Sequence, residues 1–206
     1  MIKAKHHPLV YAFFKYFAKN AIKKHFHQVI IEGEADVNNH SVMLLSNHIS
    51  WWDGFWALYL NIQRFNKKFH FMMDETELKK RWLFSYSGGF SISGNSRSMF
   101  ESIQYASDLL KNKKNMVLIY PQGKLHSSHN REIHFKKGIE RIQLTEENPA
   151  KVVFLVQLTD YFQFRKPTLY LYLREVEKEI HTDKNYEEQY NAFYNACIEQ
   201  HSKIII

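Results

Sequence analysis

The sequence predicts a single α/β domain, with a mostly parallel central sheet that is flanked by helices and preceded by an amphipathic helix. Its 206 residues fit one domain and are enough to bury a sizeable core. Short apolar runs alternate with helical patterns, which is typical of parallel strand–helix–strand units. Only 7 glycines and 4 prolines are present, so the loops should be short. We expect an N-terminal helical segment over 1–28 and the main domain over 29–206.

The first predicted element is a helix over Leu9–Phe26. Apolar residues recur on one stripe at helical spacing: Val10, Phe13, Phe14, Phe17 and Ala21. Lys15, Lys19 and Lys23 follow every four residues on another face. Such a basic, aromatic helix either lies in a membrane interface or packs on the domain core with its lysines in water. Periodicity alone favours neither interpretation.

The remaining predicted elements alternate in type. Strands are predicted at Val29–Ile31, Val42–Leu45, Phe69–Met73, Phe90–Ile92, Met116–Tyr120, Val152–Leu158 and Leu169–Leu173. Helices are predicted at Trp52–Phe65, Glu75–Phe84, Ser98–Leu110, Gly138–Leu144 and Tyr186–Gln200. Ser98 and Glu101 have the spacing of a capping box at the start of their helix. Because ligands of parallel sheets bind beyond the carboxyl ends of strands, the loops after the apolar runs are the places to search for a site.

The composition excludes several classes of protein. Aromatic residues are abundant (4 Trp, 12 Tyr and 16 Phe), unlike in a disordered chain. The single cysteine, Cys197, excludes an internal disulfide and a multi-thiolate zinc site. No apolar run approaches the roughly 18–20 residues that span a bilayer, and no signal-peptide pattern follows Met1–Pro8. We therefore expect a reduced, cytoplasmic protein.

The charge balance points to a polyanionic partner. There are 28 basic and 21 acidic side chains, which gives a net charge of +7. Nucleic acid and anionic membrane are the usual partners of such a protein, and a basic protein without either is the alternative. The sequence contains no recognised nucleic-acid-binding module, and the aromatic content favours the membrane.

The first candidate loop, Asn47–Asp53, follows the predicted strand Val42–Leu45. If His48 ends the strand and Asp53 opens the next helix, the carboxylate can hold one ring nitrogen while the other takes a proton from a hydroxyl. The alternative is structural, because Ser50 and Asp53 also have capping-box spacing and His48 is then an ordinary strand-end residue. Taken alone, the spaced His–Asp pair is a weak motif.

The second candidate loop is Gly94–Arg97, between a short predicted strand and a helix. An arginine beside the N–H groups of a helix start forms a candidate anion site. The alternative is a plain turn with a solvated arginine.

The third candidate loop is Tyr120–His126, after the most apolar strand. Its Pro-x-Gly turn either faces the same pocket as His48 or is an ordinary turn. Three histidines follow nearby, at His126, His129 and His134. They lack the thiolates or the glutamate-bearing helix of a zinc site, so we expect exposed histidines and no metal.

Taken in order, these loops resemble the glycerophospholipid acyltransferase family of the 1-acylglycerol-3-phosphate type. That family carries Asn-His-x4-Asp, then Gly-x-x-Arg, then Pro-Glu-Gly-Thr-Arg. The matching residues are Asn47, His48, Asp53, Gly94, Arg97, Pro121 and Gly123. The stretch Phe135–Gly138 is also similar to the family, and the resemblance spans Ile31 to Leu158.

The resemblance implies transfer of a fatty acyl group from acyl-CoA or acyl-carrier protein to a hydroxyl of a lipid acceptor such as a lysophospholipid. His48 would be the general base and Asp53 its orienter, and the acceptor would attack the thioester directly, without an acyl-enzyme, a metal or a cofactor other than the acyl donor. The residues implied in substrate binding are Asn47, Gly94, Arg97, Pro121, Gln122, Gly123 and Lys124. The implied setting is peripheral, on the cytoplasmic side of a membrane, with the lipid surface as partner and no nucleic acid. The resemblance therefore favours the membrane interpretation of the helix over Leu9–Phe26.

The third block departs from the family pattern. The glutamate is Gln122 here, and Lys124 and Leu125 replace the Thr-Arg pair. The missing arginine is the residue expected to hold an acceptor phosphate, and lysine lacks its bidentate fork. The acceptor is therefore either a lysophospholipid or a phosphate-free lipid, such as a glycolipid, a glycosylated pigment or an aminolipid. A non-catalytic lipid-binding relative is the remaining alternative.

Overall fold

The computed structural model describes residues 1–142, 144, 150–176 and 185–205. The helices are α1 (Pro8–His25), α2 (Asp53–Leu60, continued by a π-helical turn at Asn61–Phe65), α3 (Glu75–Lys80), α4 (Ser96–Leu110) and α5 (Tyr186–Ser202), with 3-10 turns at Trp82–Ser87 and Ile139–Arg141. The strands are β1 (Val29–Glu32), β2 (Val42–Ser46), β3 (Lys68–Asp74), β4 (Gly89–Ile92), β5 (Asn115–Ile119), β6 (Lys151–Asp160) and β7 (Thr168–Glu175). The predicted α/β fold is confirmed.

Seven strands form one sheet in the order β1-β7-β6-β2-β5-β3-β4. All neighbouring pairs are parallel except β6 and β7, which are antiparallel. Strand β2 lies between β6 and β5, and Leu45 is aligned with Phe154 on one side and Ile119 on the other. The carboxyl ends of these three parallel strands therefore meet at the centre of one edge of the sheet.

Two apolar layers cover the faces of the sheet. Alternate β2 residues point to opposite faces, as the pleat requires. Met43 and Leu45 join one buried cluster, with residues of α4 and α5. Val42 and Leu44 join the other, with residues of α1 and α2. The sheet is therefore the middle layer between two helical layers.

Helix α1 packs on the domain with one face only. Its small residues Ala18 and Ala21 are buried, and the Phe17 ring lies 5.1 Å from that of Phe55 in α2, measured between ring centroids. On the other face Phe13 is 58% exposed, although it belongs to the predicted apolar stripe. Core packing thus accounts for one side of the helix, and the other side is exposed to solvent. In the described part of the chain, no helix has both the length and the apolarity to cross a membrane.

The structure corrects two sequence predictions. Helix α4 starts at Ser96, because the Asn95 side chain accepts a hydrogen bond from the Ser98 N–H at 2.9 Å. The capping box predicted at Ser98 is therefore wrong, since an asparagine three residues earlier already caps the helix. The helix predicted over Gly138–Leu144 is also wrong for its described residues: Gly138 has φ +115°, a left-handed conformation, and a short 3-10 turn follows. Residue 143 lies outside the described chain.

Candidate active site

The site begins where β2 ends beside β6. The Asn47 side chain donates to the Gln157 carbonyl at 2.9 Å and accepts from the Gln157 N–H at 2.8 Å. This side chain thereby continues the β2–β6 ladder by one step, and Asn47 is fully buried. Asn47 does not line the cavity described below. It sets the direction in which the chain leaves the strand, and so the position of the next residue, His48.

His48 and Asp53 meet as the spacing predicts. His48 Nδ1 lies 2.8 Å from Asp53 Oδ2, with the histidine side chain 25% exposed and the aspartate side chain fully buried. Asp53 is the first residue of α2. With Nδ1–H donating to the carboxylate, the second ring nitrogen, Nε2, carries the lone pair that can take a proton.

The buried carboxylate is held by several donors. Asp53 Oδ2 also accepts from the backbone N–H groups of Ile49, at 2.6 Å, and Ser50, at 2.9 Å. Burial raises the pKa of Asp53, and the hydrogen bonds from His48 and these N–H groups oppose the rise. The Ser50 contact is half of the alternative capping box, but the Ser50 hydroxyl oxygen accepts from Trp52 instead of returning to Asp53. The capping interpretation therefore explains only part of the arrangement.

The loop after β5 anchors the backbone of His48. Gln122 Oε1 accepts from the His48 N–H at 2.6 Å, and the His48 carbonyl accepts from the His126 N–H at 2.9 Å. The Pro121 carbonyl accepts from the Lys136 N–H at 2.8 Å. The third loop therefore connects His48 to the segment that carries Lys136. The Gln122 side chain is only 2% exposed, so it contacts other groups of the protein and not a ligand.

A cavity of about 720 Å³ opens beside His48. It passes between α2, β3, β4 and α4, and its surface is mainly apolar. Its apolar lining includes Phe55, Leu58, Phe71, Met72, Met99 and Ile103. Cavities of this size and character hold small molecules or parts of larger ones. The geometry suits a long hydrocarbon chain whose reacting end lies at the histidine.

Three lysines line the same cavity. They are Lys124, Lys136 and Lys137, and all three are exposed. None forms an ion pair with a residue that the structure describes. By contrast, Arg81, which also lines the cavity, is paired with Glu77. The lysines therefore present positive charge to an incoming ligand.

The second predicted block is only partly at the cavity. Gly94 lines it, but the Arg97 side chain is 91% exposed and lies 3.4 Å from Glu101, measured from Nε to Oε1. Arg97 does not line the cavity in this arrangement. The loop brings the backbone to the site and leaves the guanidinium in solvent.

Of the other predicted residues, some line the cavity and others lie in solvent away from it. Pro121 and Gly123 line the cavity, and Gly123 has φ +69°, which favours glycine. Exposed His134 lies 3.4 Å from Glu187. Within the described ranges, no three His, Cys, Asp or Glu side chains lie close enough together to hold a metal ion.

Sequence reasoning missed Tyr120 as a site residue. Its ring stacks on that of His48, with centroids 4.2 Å apart. The available signal was its position: it follows β5 directly and precedes Pro121, at the same sheet edge as His48. A stacking partner 72 positions away in the chain cannot be recognised from spacing.

The comparisons agree with this geometry. A sequence model of the acyltransferase family matches residues 28–153, which is more than half of the chain. The match includes all three loops and the strands that carry His48 and Tyr120. No curated protein gives a significant match. The chain therefore belongs to the acyltransferase family, and its activity is acyl transfer to a lipid acceptor.

Proposed function

We propose that this protein transfers a fatty acyl group from an acyl thioester, acyl-CoA or acyl-carrier protein, to a hydroxyl of a lipid acceptor such as a lysophospholipid. The observation that carries the proposal is the 2.8 Å contact between His48 and buried Asp53 at the wall of an apolar cavity of about 720 Å³. A base, its orienter and space for a hydrocarbon chain lie together.

The proposed chemistry is direct attack. His48 Nε2 takes the proton of the acceptor hydroxyl as its oxygen bonds to the thioester carbonyl carbon. The resulting tetrahedral intermediate collapses, the C–S bond breaks, and the thiolate leaves with the proton from the imidazolium. Asp53 stabilises the imidazolium and holds the tautomer that leaves Nε2 unprotonated beforehand. No acyl-enzyme forms in this series of reaction steps.

The lysines at the cavity favour an anionic substrate. Lys124, Lys136 and Lys137 suit either the phosphate of a lysophospholipid acceptor or the phosphate groups of the acyl donor. They compensate in charge for the arginine that the family pattern places after Gly123, although without its bidentate geometry. The lysines therefore favour a phosphate-bearing substrate, either the acceptor or the donor.

Release of free thiol from acyl-CoA and from acyl-carrier protein, in the presence of vesicles and an acceptor, tests the reaction. We expect kcat/KM to fall by about 10²–10⁴-fold in His48→Ala, because a general base is lost. Asp53→Asn should lower kcat by no more than this factor, because an amide favours the wrong histidine tautomer but leaves the imidazole in place. His129→Ala, at an exposed histidine, is the matched control and should turn over normally. Near-normal turnover in His48→Ala, with wild-type melting behaviour, would refute the base assignment.

The acceptor arm compares lysophosphatidic acid with monoacylglycerol. In a Lys124→Ala/Lys136→Ala/Lys137→Ala variant, a rise in KM for lysophosphatidic acid alone would place the acceptor phosphate at the lysines. A rise in KM for acyl-CoA with both acceptors would place the donor phosphates there instead. Vesicle binding without thiol release from any donor would support the non-catalytic lipid-binding alternative.

We also propose that the protein lies on the cytoplasmic face of a membrane through the surface around the cavity mouth. We assign six exposed apolar residues to this surface, here called the apolar rim: Leu9, Phe13, Tyr16, Trp51, Trp82 and Leu83. They come from α1, the loop after β2 and the turn after α3. Aromatic contacts connect the rim to the cavity wall, because Phe13 packs on Phe14, and Phe14 on Phe84. Exposed Lys15 and Lys19 on α1 suit anionic headgroups.

A further inference from the structure

Tyr120 lies directly against the proposed base. The Tyr120 and His48 rings are nearly parallel, at 14°, with their centroids 4.2 Å apart. Tyr120 follows the last residue of β5, and β5 is the parallel neighbour of β2, which carries His48. Two adjacent strand ends therefore place one flat ring over another.

The hydrogen bond to Asp53 does not by itself fix the imidazole plane. It restrains one ring atom, Nδ1, at 2.8 Å from the carboxylate, and the ring can still tilt about that contact. Backbone hydrogen bonds to Gln122 and from His126 hold the main chain of His48 but not its ring. A stacked aromatic face limits this tilt, because tilting would drive the imidazole edge into the tyrosine ring.

The far end of the tyrosine ring is enclosed by protein. Its hydroxyl is buried and makes no hydrogen bond of ordinary geometry. It lies near the first turn of α2, about 4.0 Å from where a Cβ on Gly54 would sit. Burial and then the Asp53 charge raise the pKa of this hydroxyl, while the Gln157 side chain opposes the rise, so it stays neutral. Packing around the buried hydroxyl restricts rotation of the tyrosine ring.

We propose that Tyr120 is a positioning residue, whose ring holds the His48 imidazole in the plane that proton transfer requires. The inference rests on the proposed role of His48 as general base. Tyr120 also lines the cavity, so a role in substrate binding is the competing explanation. The two differ in kinetics, because positioning of the base affects kcat and substrate binding affects KM.

Two variants separate the ring from the hydroxyl. Tyr120→Phe keeps the stacking face, and Tyr120→Met keeps much of the apolar volume without a flat ring. We expect Tyr120→Met to lower kcat by about 100-fold, as misplacement of a catalytic group by about 1 Å does, with KM for donor and acceptor unchanged. Tyr120→Phe should retain most of the activity.

The inference is overturned by a wild-type kcat in Tyr120→Met, by an equal loss in Tyr120→Phe, or by a loss confined to KM. A second measurement does not depend on turnover: the His48 ring-proton NMR signals, assigned by their disappearance in His48→Ala. Stacking predicts an upfield ring-current shift that Tyr120→Phe keeps. Its absence from the wild-type spectrum would overturn the inference, even if Tyr120→Met fails to fold. A wild-type protein that shows this shift but no acyl transfer would instead contradict the proposed function.

Discussion

The amide of Gln122 explains how the site tolerates its departure from the family pattern. Its Oε1 accepts the His48 N–H from a position that is 2% exposed. A glutamate there would bring a second buried carboxylate close to Asp53, whose pKa burial already raises. An amide accepts the same hydrogen bond without the charge. The substitution therefore keeps the anchor of His48.

A second pair of histidines lies away from the site, where the N-terminal segment meets β3. The His6 and His70 rings pack edge to face, with centroids 4.6 Å apart. Burial and then the Lys68 charge lower the pKa of His6 to about 4. Burial, and then the charges of His6 and Lys68, lower the pKa of His70 to about 3, with Asn115 opposing the shift. Both rings are therefore neutral at pH 7.

These histidines predict that the protein loses stability in mild acid. Unfolded histidine takes up a proton near pH 6.5, whereas folded His70 resists it, so the stability is complete above pH 6.5 and is lost as the pH falls towards 3. His70 alone should lower the free energy of unfolding by about 2 kcal/mol between pH 8 and pH 5. Urea denaturation at both pH values measures this. His70→Leu should reduce the difference by about 2 kcal/mol and leave the part that His6 contributes, and His129→Leu should not change it. An unchanged pH dependence in His70→Leu would contradict the prediction.

At the scale of single elements, the start of α4 offers a direct test. Asn95 caps the helix through the Ser98 N–H, while the Ser98 hydroxyl is buried and accepts no capping bond. Asn95→Ala should destabilise the protein by about 1 kcal/mol. Ser98→Ala should leave stability unchanged or slightly higher, because no cap is lost. Chemical denaturation of both variants decides between the two cap positions. A larger loss in Ser98→Ala would restore the capping box predicted from the sequence.

Helix α1 has one side that packs on the domain and one side that is exposed. Ala18 and Ala21 allow it to approach α2 closely, and the contact of Phe17 with Phe55 extends this packing. Phe13 lies on the outward side with the lysines. The periodicity of the helix is compatible with both interpretations because each interpretation explains one side of it.

At the scale of the whole molecule, the proposed membrane contact through the apolar rim predicts which exposed residues support vesicle binding. Phe13→Ser/Trp82→Ser should lower the partition coefficient onto phosphatidylglycerol vesicles by at least about tenfold, because two exposed apolar side chains are lost from the contact. Phe100→Ser/Tyr161→Ser removes two other exposed aromatic residues that do not line the cavity, and is the matched control. Sedimentation with vesicles measures both. Equal loss in the two double variants would argue against an oriented contact.

Much of the fold and part of the candidate site were predictable from local patterns. Seven strands and the long helices follow from apolar periodicity, and the structure confirms them within a few residues. The contact between His48 and Asp53 was predictable because a strand end and the next helix start are joined by a short loop. The helix predicted from Gly138 failed because its positive φ, +115°, is not visible in the periodicity.

The sequence by itself determined the α/β class, the family resemblance and the loops that carry the site, since each depends on residue types at short spacing. Only the tertiary structure decided which side chains reach the cavity. It places Lys136 and Lys137 at the cavity and leaves Arg97 in solvent, and it stacks Tyr120 on His48. These contacts join residues far apart in the chain. Their geometry depends on how the strands align in the sheet, and local spacing contains no information about that alignment.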